Sequence, residues 1–314
     1  MEPVLAIVGP TAVGKTTLAL ELAERRPVEI VNADALQVYR GFDIGTAKPT
    51  AAERERVPHH LIDILDADEA FSAGAFAERA RRVIDEIQGR DRLAVVVGGS
   101  GLYLKALLEG IGTLPRSDPE IRRRLEERLE REGSEALWKE LEAVDPPTAA
   151  RLPPADRQRI LRALEVYEMS GKPLSHWISE RPFGERPLAA VKVGLTLPRA
   201  VLYDRIASRL ERMIERGWVE EVAGLLERWG DPELPAFQAI GYRQLARHLQ
   251  EGRPLEEAVE EIVTATRRFA KRQLTWFRSD SDIVWYRVDR TPHLPEAVLR
   301  QFERRTDESD GSSR

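Results

Sequence analysis

The chain contains no cysteine, so neither a disulfide nor thiolate chemistry enters any account of it. No apolar run approaches the ~20 residues that a membrane-spanning helix needs. The N-terminus lacks a basic region followed by an apolar signal segment, which sets a cytoplasmic location without membrane contact as the expectation. Excess positive charge is also missing. Lys and Arg number 48 against 53 Asp and Glu, a formal net charge of −5, so any surface for nucleic acid must be a local patch. The adjacent His59 and His60 have no partner at ligand spacing, which argues against a metal site built from them. Internal repeats are absent. What remains is an ordinary globular composition in 314 residues, enough for one or two domains around a large core.

Several apolar runs read as buried parallel strands: Val4–Val8, Val28–Val31 and Leu93–Val97, with Val191–Leu197 and Ile283–Val288 as further candidates. Amphipathic helical stretches such as Phe76–Gln88 lie between them. That alternation predicts an α/β fold with a mainly parallel sheet. The character changes from Leu114 to Pro187, where no strand signal occurs. Helical patterns cover Pro119–Arg131, Glu135–Ala143 and Ala155–Ser170, the last closed by Gly171, and prolines from Pro115 through Pro182 to Pro187 punctuate them. The segment 114–187 therefore reads as an all-helical insertion in an α/β core formed by 1–113 and 188–305. The polar tail from Thr306 to Arg314 is expected to be disordered.

The most informative stretch is Gly9-Pro10-Thr11-Ala12-Val13-Gly14-Lys15-Thr16. It follows the strand Val4–Val8 and precedes a helical run, the context that makes a G-x-x-x-x-G-K-[ST] match a credible phosphate-binding loop. Loop amides and the helix N-terminus aim partial positive charge at one spot. Lys15 adds a full charge, and the Thr16 hydroxyl is placed to ligate Mg2+ bridged to phosphates. The motif identifies a diphosphate or polyphosphate and does not identify ATP. The second strand runs into Asp34, at the sheet edge where ligands bind in open α/β folds. Position alone leaves Asp34 open as a magnesium ligand, a general base or a turn-capping carboxylate. The strand Leu93–Val97 ends in Gly98-Gly99-Ser100-Gly101, a second turn that lets a ligand approach the backbone and offers the Ser100 hydroxyl. It does not end in Asp, as the magnesium-binding strand of a nucleotide hydrolase would, and this counts against ATP hydrolysis.

The segments GPTAVGKT, NADALQVYRGFDIGTAKPT (Asn32–Thr50), VPHHLIDI (Val57–Ile64), VVGGSGLYLKALLEG (Val96–Gly110), DRQRILRALEVYEMSGKPLS (Asp156–Ser175), FQAIGYRQL (Phe237–Leu245) and TRRFAKRQLTWFR (Thr266–Arg278) occur in one order along the chain. In that order the sequence resembles the tRNA dimethylallyltransferase family, also called tRNA isopentenyltransferase, from Leu5 to about Arg278. The resemblance implies a P-loop kinase-like core with an inserted helical domain that binds tRNA. It implies transfer of a dimethylallyl group from dimethylallyl diphosphate to N6 of the adenosine immediately 3′ of the anticodon, in tRNAs that read codons beginning with U. The loop then holds a diphosphate with magnesium, and Asp34 becomes the general base for a weakly nucleophilic amine. Thr11 and Ser100 flank the reacting centre, and Arg209, one helical turn from Arg205, contacts the diphosphate.

The same resemblance maps tRNA contacts onto Asp34, Ala35, Leu36 and Gln37, onto Ser100 and Arg122, and onto Gln158, Arg159, Ile160, Leu161 and Arg162. Gln238 and Gly241, in the segment Phe237–Tyr242, are further contacts. Arg159 and Arg162 lie one turn apart and can share a phosphate-facing side. The target base must leave the anticodon stack to react, as in base-flipping enzymes. The family usually has Thr where this chain has Ser100, which keeps a hydroxyl and loses a methyl. It commonly has Ser after the aspartate, where this chain has Ala35, so no role of that serine carries over. The late cations Arg267, Arg268, Lys271 and Arg272 fit either pairing with Glu256, Glu257, Glu260 and Glu261 or an RNA-facing surface. Trp276 and Phe277 are expected in the core. The partners implied are a tRNA anticodon stem-loop and dimethylallyl diphosphate, with the protein a monomer. The competing readings are a small-molecule or nucleoside kinase using ATP at the same loop, and a non-catalytic RNA-binding protein. The missing strand-terminal aspartate weighs against the first. An intact Gly14-Lys15-Thr16 with Asp34 weighs against the second.

Overall fold

The apolar run at the N-terminus becomes strand β1 (Val4–Val8), and all five of its residues are buried. In the computed structural model, which describes residues 2–110, 114–115, 117–180 and 187–311, this strand lies in the interior of the sheet. Thr113 at the expected edge of the insertion, Pro182 and residues 312–314 lie outside the described residues. After β1 come α1 (Lys15–Ala23), β2 (Val28–Ala33), α2 (Ala51–Arg56), β3 (His59–His60), α3 (Ala73–Gln88), β4 (Leu93–Gly98) and α4 (Gly101–Glu109). Five helices follow: α5 (Pro119–Glu132), α6 (Ser134–Val144), α7 (Pro146–Ala149), α8 (Arg157–Ser170) and α9 (Leu174–Glu180). The chain then continues with β5 (Ala190–Thr196), α10 (Arg199–Glu215), α11 (Trp218–Trp229), α12 (Tyr242–Glu251), α13 (Leu255–Arg278), β6 (Val284–Arg287) and α14 (Leu294–Gly311).

The chain divides into two compact units, one of residues 1–108 with 188–314 and one of residues 109–187. In the first unit the strands form one six-stranded sheet in the order β3–β2–β4–β1–β5–β6, parallel throughout. β1, β2 and β4 are buried along their full lengths, as expected for a sheet with helices on both faces. The register pairs Val8 with Gly98 and Gly98 with Ala33, so three strands end in one row. The loops that follow them therefore leave the sheet side by side, at its carboxyl edge. Strand β3 has only two residues and lacks the apolar run by which strands are recognised in sequence. Helix α3 begins at Ala73, three residues before the expected Phe76, because the Ser72 hydroxyl accepts the Ala75 amide at 3.1 Å and caps it.

The second unit has its own core. Leu125, Leu129, Leu137, Leu141, Ile160, Leu161 and Leu164 are buried together. Asp118 caps α5 by accepting the Glu120 and Ile121 amides, and Gly171 closes α8 in the left-handed conformation at φ 67°. Glu165 is fully buried and satisfied: it accepts from the Ser117 hydroxyl, from the Asp118 amide at 3.0 Å and from Arg162 Nη1 at 2.9 Å. Ile160 and Leu161 correct an expectation. Both side chains lie in this core, at 0% and 1% exposure, and are unavailable to RNA. A run of five consecutive helical residues cannot present one face, since 3.6 residues complete a turn and part of the run must point inward.

The C-terminal tail is a second correction. Instead of losing structure at Thr306, α14 runs on to Gly311, carried from Val298 and Phe302, both fully buried, with the Thr306 hydroxyl donating to the Phe302 carbonyl at 2.9 Å.

Trp218, at 1% exposure, packs against two glycines. A Cβ on Gly45 would lie 2.2 Å from its ring, and one on Gly241 2.0 Å. Gly241 also adopts φ 97°, which side-chain-bearing residues resist. Gly241 is therefore a packing residue, buried under the indole, and its expected contact with tRNA is corrected accordingly. Replacing Gly241 with Ala should destabilise the protein by about 3 kcal/mol, from overpacking plus backbone strain. Urea unfolding of the purified variant checks this, and a loss below about 1 kcal/mol would contradict the packing described.

Candidate active site

The loop between β1 and α1 turns sharply, and three residues take positive φ angles: Gly9 at 144°, Gly14 at 109° and, less usually, Ala12 at 63°. A non-glycine residue there marks a stretch held by its surroundings. Lys15 opens α1 and folds back over the loop, where its ammonium donates to the Gly9 carbonyl at 3.0 Å and the Pro10 carbonyl at 2.9 Å. Arg205 Nη1 meets the Val13 carbonyl at 3.4 Å. Thr11, Ala12, Val13, Gly14, Lys15 and Thr16 line a cavity of about 450 Å³. Across it stand Asn32, Asp34 and Gln37 from the β2 edge, and Arg205, Arg209 and Arg212 from α10. The spacing of those arginines, i, i+4 and i+7, places them on one helical face.

Asp34 is pinned by its neighbours. The buried Asn32 accepts the Asp34 amide at 3.1 Å and donates from Nδ2 to the Leu61 carbonyl at 3.0 Å. Asp34 Oδ1 accepts the Leu36 amide at 2.9 Å, a turn-capping bond. Asp34 lines the cavity, and among the described residues no hydrogen bond to its Oδ2 is found. The adjacent Ala35 amide donates to the Ser100 hydroxyl oxygen at 3.1 Å. Ser100 thus touches the aspartate's turn and is itself outside the cavity lining, where Val97 and Gly98 represent that strand.

Electrostatics ties these groups together. Burial pulls the Lys15 ammonium down from 10.5 to about 8; the Asp34 carboxylate opposes that fall and Arg209 adds to it. Burial also lowers Arg209, again opposed by Asp34. Two desolvated cations and Asp34 therefore share a single cavity, whose lining also carries Arg205, Arg212 and Glu53 and is net positive, in a medium where charge interactions are strong. An anion bound there is stabilised by the loop amides, the α1 N-terminus and both cations.

The remaining wall is a loop held by salt links. Lys48, whose side chain is 1% exposed, reaches Asp43 at 2.5 Å and Asp63 at 2.6 Å and donates to the Tyr39 carbonyl at 2.7 Å. Glu221 accepts the Ile44 amide at 2.7 Å and the Tyr242 hydroxyl at 2.6 Å. These fix Thr46, Ala47 and Pro49 on the cavity, and Gln37 Nε2 donates to the Thr46 and Ala47 carbonyls at 3.1 and 3.2 Å. Leu36 packs against the hydrophobic core.

The residues expected to meet tRNA elsewhere are more dispersed. Arg122 pairs with Glu126 at 2.7 Å and donates to Gln158 at 2.6 Å; Arg123 pairs with Glu127 and Arg124 with Glu168. That run is neutralised by carboxylates, the arrangement usual for a solvated helix face. Arg159 is mostly exposed, with Asp156 at 3.5 Å. Arg162 is turned inward to Glu165 and the Pro115 carbonyl, so the two arginines do not present one free face. Gln238 is exposed and donates to the Pro232 carbonyl at 3.2 Å. Trp276, expected in the core, is 44% exposed at the end of α13 while Phe277 is buried. The helical period turns Phe277 inward with Ala270, and Trp276 sits about 100° off that face. Along α13 the acidic half pairs with Arg253, through Glu257 and Glu261. Among the described residues no ion pair links it to Arg267, Arg268, Lys271 or Arg272.

Sequence reasoning missed three contributors. Arg212 belongs to the i, i+4, i+7 face and was legible as such. Lys48 lies within a quoted motif, but its burial was not legible. Gln273 falls on the buried stripe Ala258, Ile262, Ala270, Phe277 of α13, and a polar residue at an apolar position is itself the signal of a specific bond.

Fold and site together define an α/β protein that sets an anion cradle beside a carboxylate at the edge of a parallel sheet. Comparison with known proteins makes this specific. The IPP transferase family model matches residues 37–280. A tRNA dimethylallyltransferase of Syntrophobacter fumaroxidans is 51% identical over 95% of this chain and 87% of its own length. One from Thermomicrobium roseum is 46% identical over 98% and 94%. The crystal structure of the full-length tRNA isopentenylpyrophosphate transferase from Bacillus halodurans superposes with a TM-score of 0.71 at 38% identity, covering 99% of this chain and 100% of that one. A eukaryotic dimethylallyltransferase acting on tRNA gives 0.76 at 29% identity, over 91% and 74%. The chain belongs to the tRNA dimethylallyltransferase family and is a prenyltransferase.

A bound anion favours charged Lys15 and should raise its pKa from about 8. The sign follows: below pH 7 the ammonium is already protonated and binding takes up nothing there, whereas at pH 9 binding should draw close to one proton onto Lys15. Calorimetric titration of pyrophosphate in buffers of different ionisation enthalpy reads this as the difference between wild type and Lys15→Met. No difference at pH 9 would contradict the assignment.

Proposed function

We propose that this enzyme transfers the dimethylallyl group of dimethylallyl diphosphate to N6 of the adenosine 3′-adjacent to the anticodon, in tRNAs reading codons that begin with U. The products are N6-dimethylallyladenosine and diphosphate. The observation that carries the proposal is the shared cavity, in which Asp34 stands electrostatically coupled to both Lys15 and Arg209. The bond from prenyl C1 to the diphosphate oxygen breaks, and the electron pair leaves with the diphosphate onto the cationic side. The bond from N6 to C1 forms, and the amine proton passes to Asp34 Oδ2. Lys15, Arg209 and the loop amides from Ala12 to Thr16 stabilise charge as it develops on the leaving group. Thr11 stands on the same wall. Ile30, Ile62, Val97, Ala47 and Pro49 supply apolar lining suited to a five-carbon tail.

Magnesium fits this scheme as a companion of the diphosphate. Thr16 sits in the first turn of α1 on the cavity wall, and among the described residues no group of three or more His, Cys, Asp or Glu side chains forms a cage for an ion. Magnesium is commonly held by few protein groups together with waters and substrate phosphates, and with the Thr16 hydroxyl as a protein ligand it would supply neutralisation of the diphosphate charge. The acceptor is an RNA whose base is extruded from its stack. On the first unit, the exposed Arg268, Lys271 and Arg272 of α13 offer a cationic surface for it, and Gln238 and the turn from Asp34 to Gln37 offer polar groups. Among the described residues no helix is long and apolar enough to cross a membrane, in keeping with work on tRNA in the cytoplasm.

The test mixes protein, magnesium, dimethylallyl diphosphate and unmodified tRNA and weighs the nucleosides by mass. A five-carbon gain on adenosine is expected. Consumption of ATP with no such gain would favour a kinase instead. Asp34→Asn keeps the shape and removes the base, so kcat should fall about 10²-fold or more while tRNA affinity stays within twofold. Unchanged turnover in that variant would remove Asp34 from its role.

A further inference from the structure

Among groups outside the cavity lining, one buried polar side chain touches both the phosphate-side loop and the turn that follows β4. Gln273 on α13 is 6% exposed. Its Oε1 accepts the Thr11 amide at 2.9 Å and its Nε2 donates to the Gly99 carbonyl at 3.0 Å. A Cβ on Gly99 would lie 2.1 Å from that nitrogen, so the glycine turn is shaped to admit the amide. Thr11 belongs to the loop that cradles the anion. Gly99 precedes Ser100, whose hydroxyl receives the Ala35 amide next to Asp34. The strands β1 and β4 are hydrogen-bonded neighbours as far as Val8 and Gly98; beyond that row their loops have no ladder to hold them. The carboxamide closes the gap with an acceptor and a donor on two separate atoms, a pairing that an ammonium, with donors alone, cannot supply.

We infer that Gln273 is a positioning residue that fixes the phosphate-side loop against the turn supporting Asp34, and so sets the separation between leaving group and base. The inference rests on the prenyl-transfer reading and deepens it. Two facts go beyond simple packing. The Thr11 amide, the loop donor nearest β1 after Gly9, is taken by Gln273, which leaves anion contact to the amides further along the loop. The bridge also links the two loops that bear Thr11 and Ser100. A shift of about 1 Å in such a link costs a positioned reaction on the order of 10²-fold.

Three measurements test it. Gln273→Leu should bind pyrophosphate about tenfold more weakly than wild type, a readout that needs no transfer chemistry; affinity within twofold would overturn the inference even if the transfer assay gave no product. In the transfer assay, kcat of Gln273→Leu should fall at least tenfold at saturating substrates while the KM for tRNA stays within twofold, with circular dichroism showing the fold retained. A second variant, Gln273→Glu, supplies the third measurement and covers the case in which Leu disrupts folding. Its acid form can accept from Thr11 and donate to Gly99, whereas its ionised form repels the Gly99 carbonyl. Its kcat relative to wild type should therefore rise at least fivefold as the introduced carboxyl, followed by NMR, passes from its ionised to its acid form, and a ratio that does not follow that titration would overturn the bridge. Wild type that fails to prenylate tRNA refutes the proposed function alone; active wild type with an unaffected Gln273→Leu refutes this inference alone.

Discussion

Two cations deprived of water, Lys15 and Arg209, share a cavity with the Asp34 carboxylate, and the loops around it hold that arrangement together. A lysine ammonium pulled down to about 8 by burial is held at a cost, and the protein offsets it in part with Asp34 and with the loop carbonyls of Gly9 and Pro10. The remaining imbalance is useful. A diphosphate completes the charge pattern that the side chains leave open, and a ligand whose negative charge grows during reaction is favoured further as the bond breaks.

The parallel sheet makes this possible because three of its strands stop in one row. Where β1, β2 and β4 end together, a glycine loop, an aspartate turn and a glycine-rich turn emerge as neighbours, each with its own helper: Lys15 folded on the first, Asn32 under the second, Gln273 between the first and third. Lys48 and Glu221 play the same part for the outer wall, tying a loop that carries no regular structure to helices and turns. The helical unit solves a different problem. Its surface arginines mostly meet carboxylates, so its basic runs are less cationic than they look in one dimension.

How much of this was readable from residues alone differs by feature. Five of the six strands were visible as apolar runs, most plainly β1, β2 and β4, which are buried along their full lengths; β3, two histidines long, had no such run to show. The glycine loop, Asp34 and Arg209 were legible because motif, sheet edge and helical spacing are local patterns. Burial of a polar residue is not local, so Lys48 and Gln273 looked like any other surface side chain until the fold gave them partners. The opposite error arose where a contiguous segment was taken as one surface: Ile160 and Leu161 turned inward, Gly241 lay beneath Trp218, and Trp276 turned outward. The tail looked unstructured by composition, yet α14 carries it on from anchors further back in the helix.

The central claim is that the cation cradle and Asp34 act on the two ends of one reaction. A crystal structure with a non-hydrolysable thio analogue of dimethylallyl diphosphate and an anticodon stem-loop measures it directly. The account predicts diphosphate oxygens on Lys15 and Arg209 and the extruded adenine amine within hydrogen-bonding distance of Asp34. A diphosphate bound away from those cations, or an adenine whose amine points away from Asp34, would contradict it.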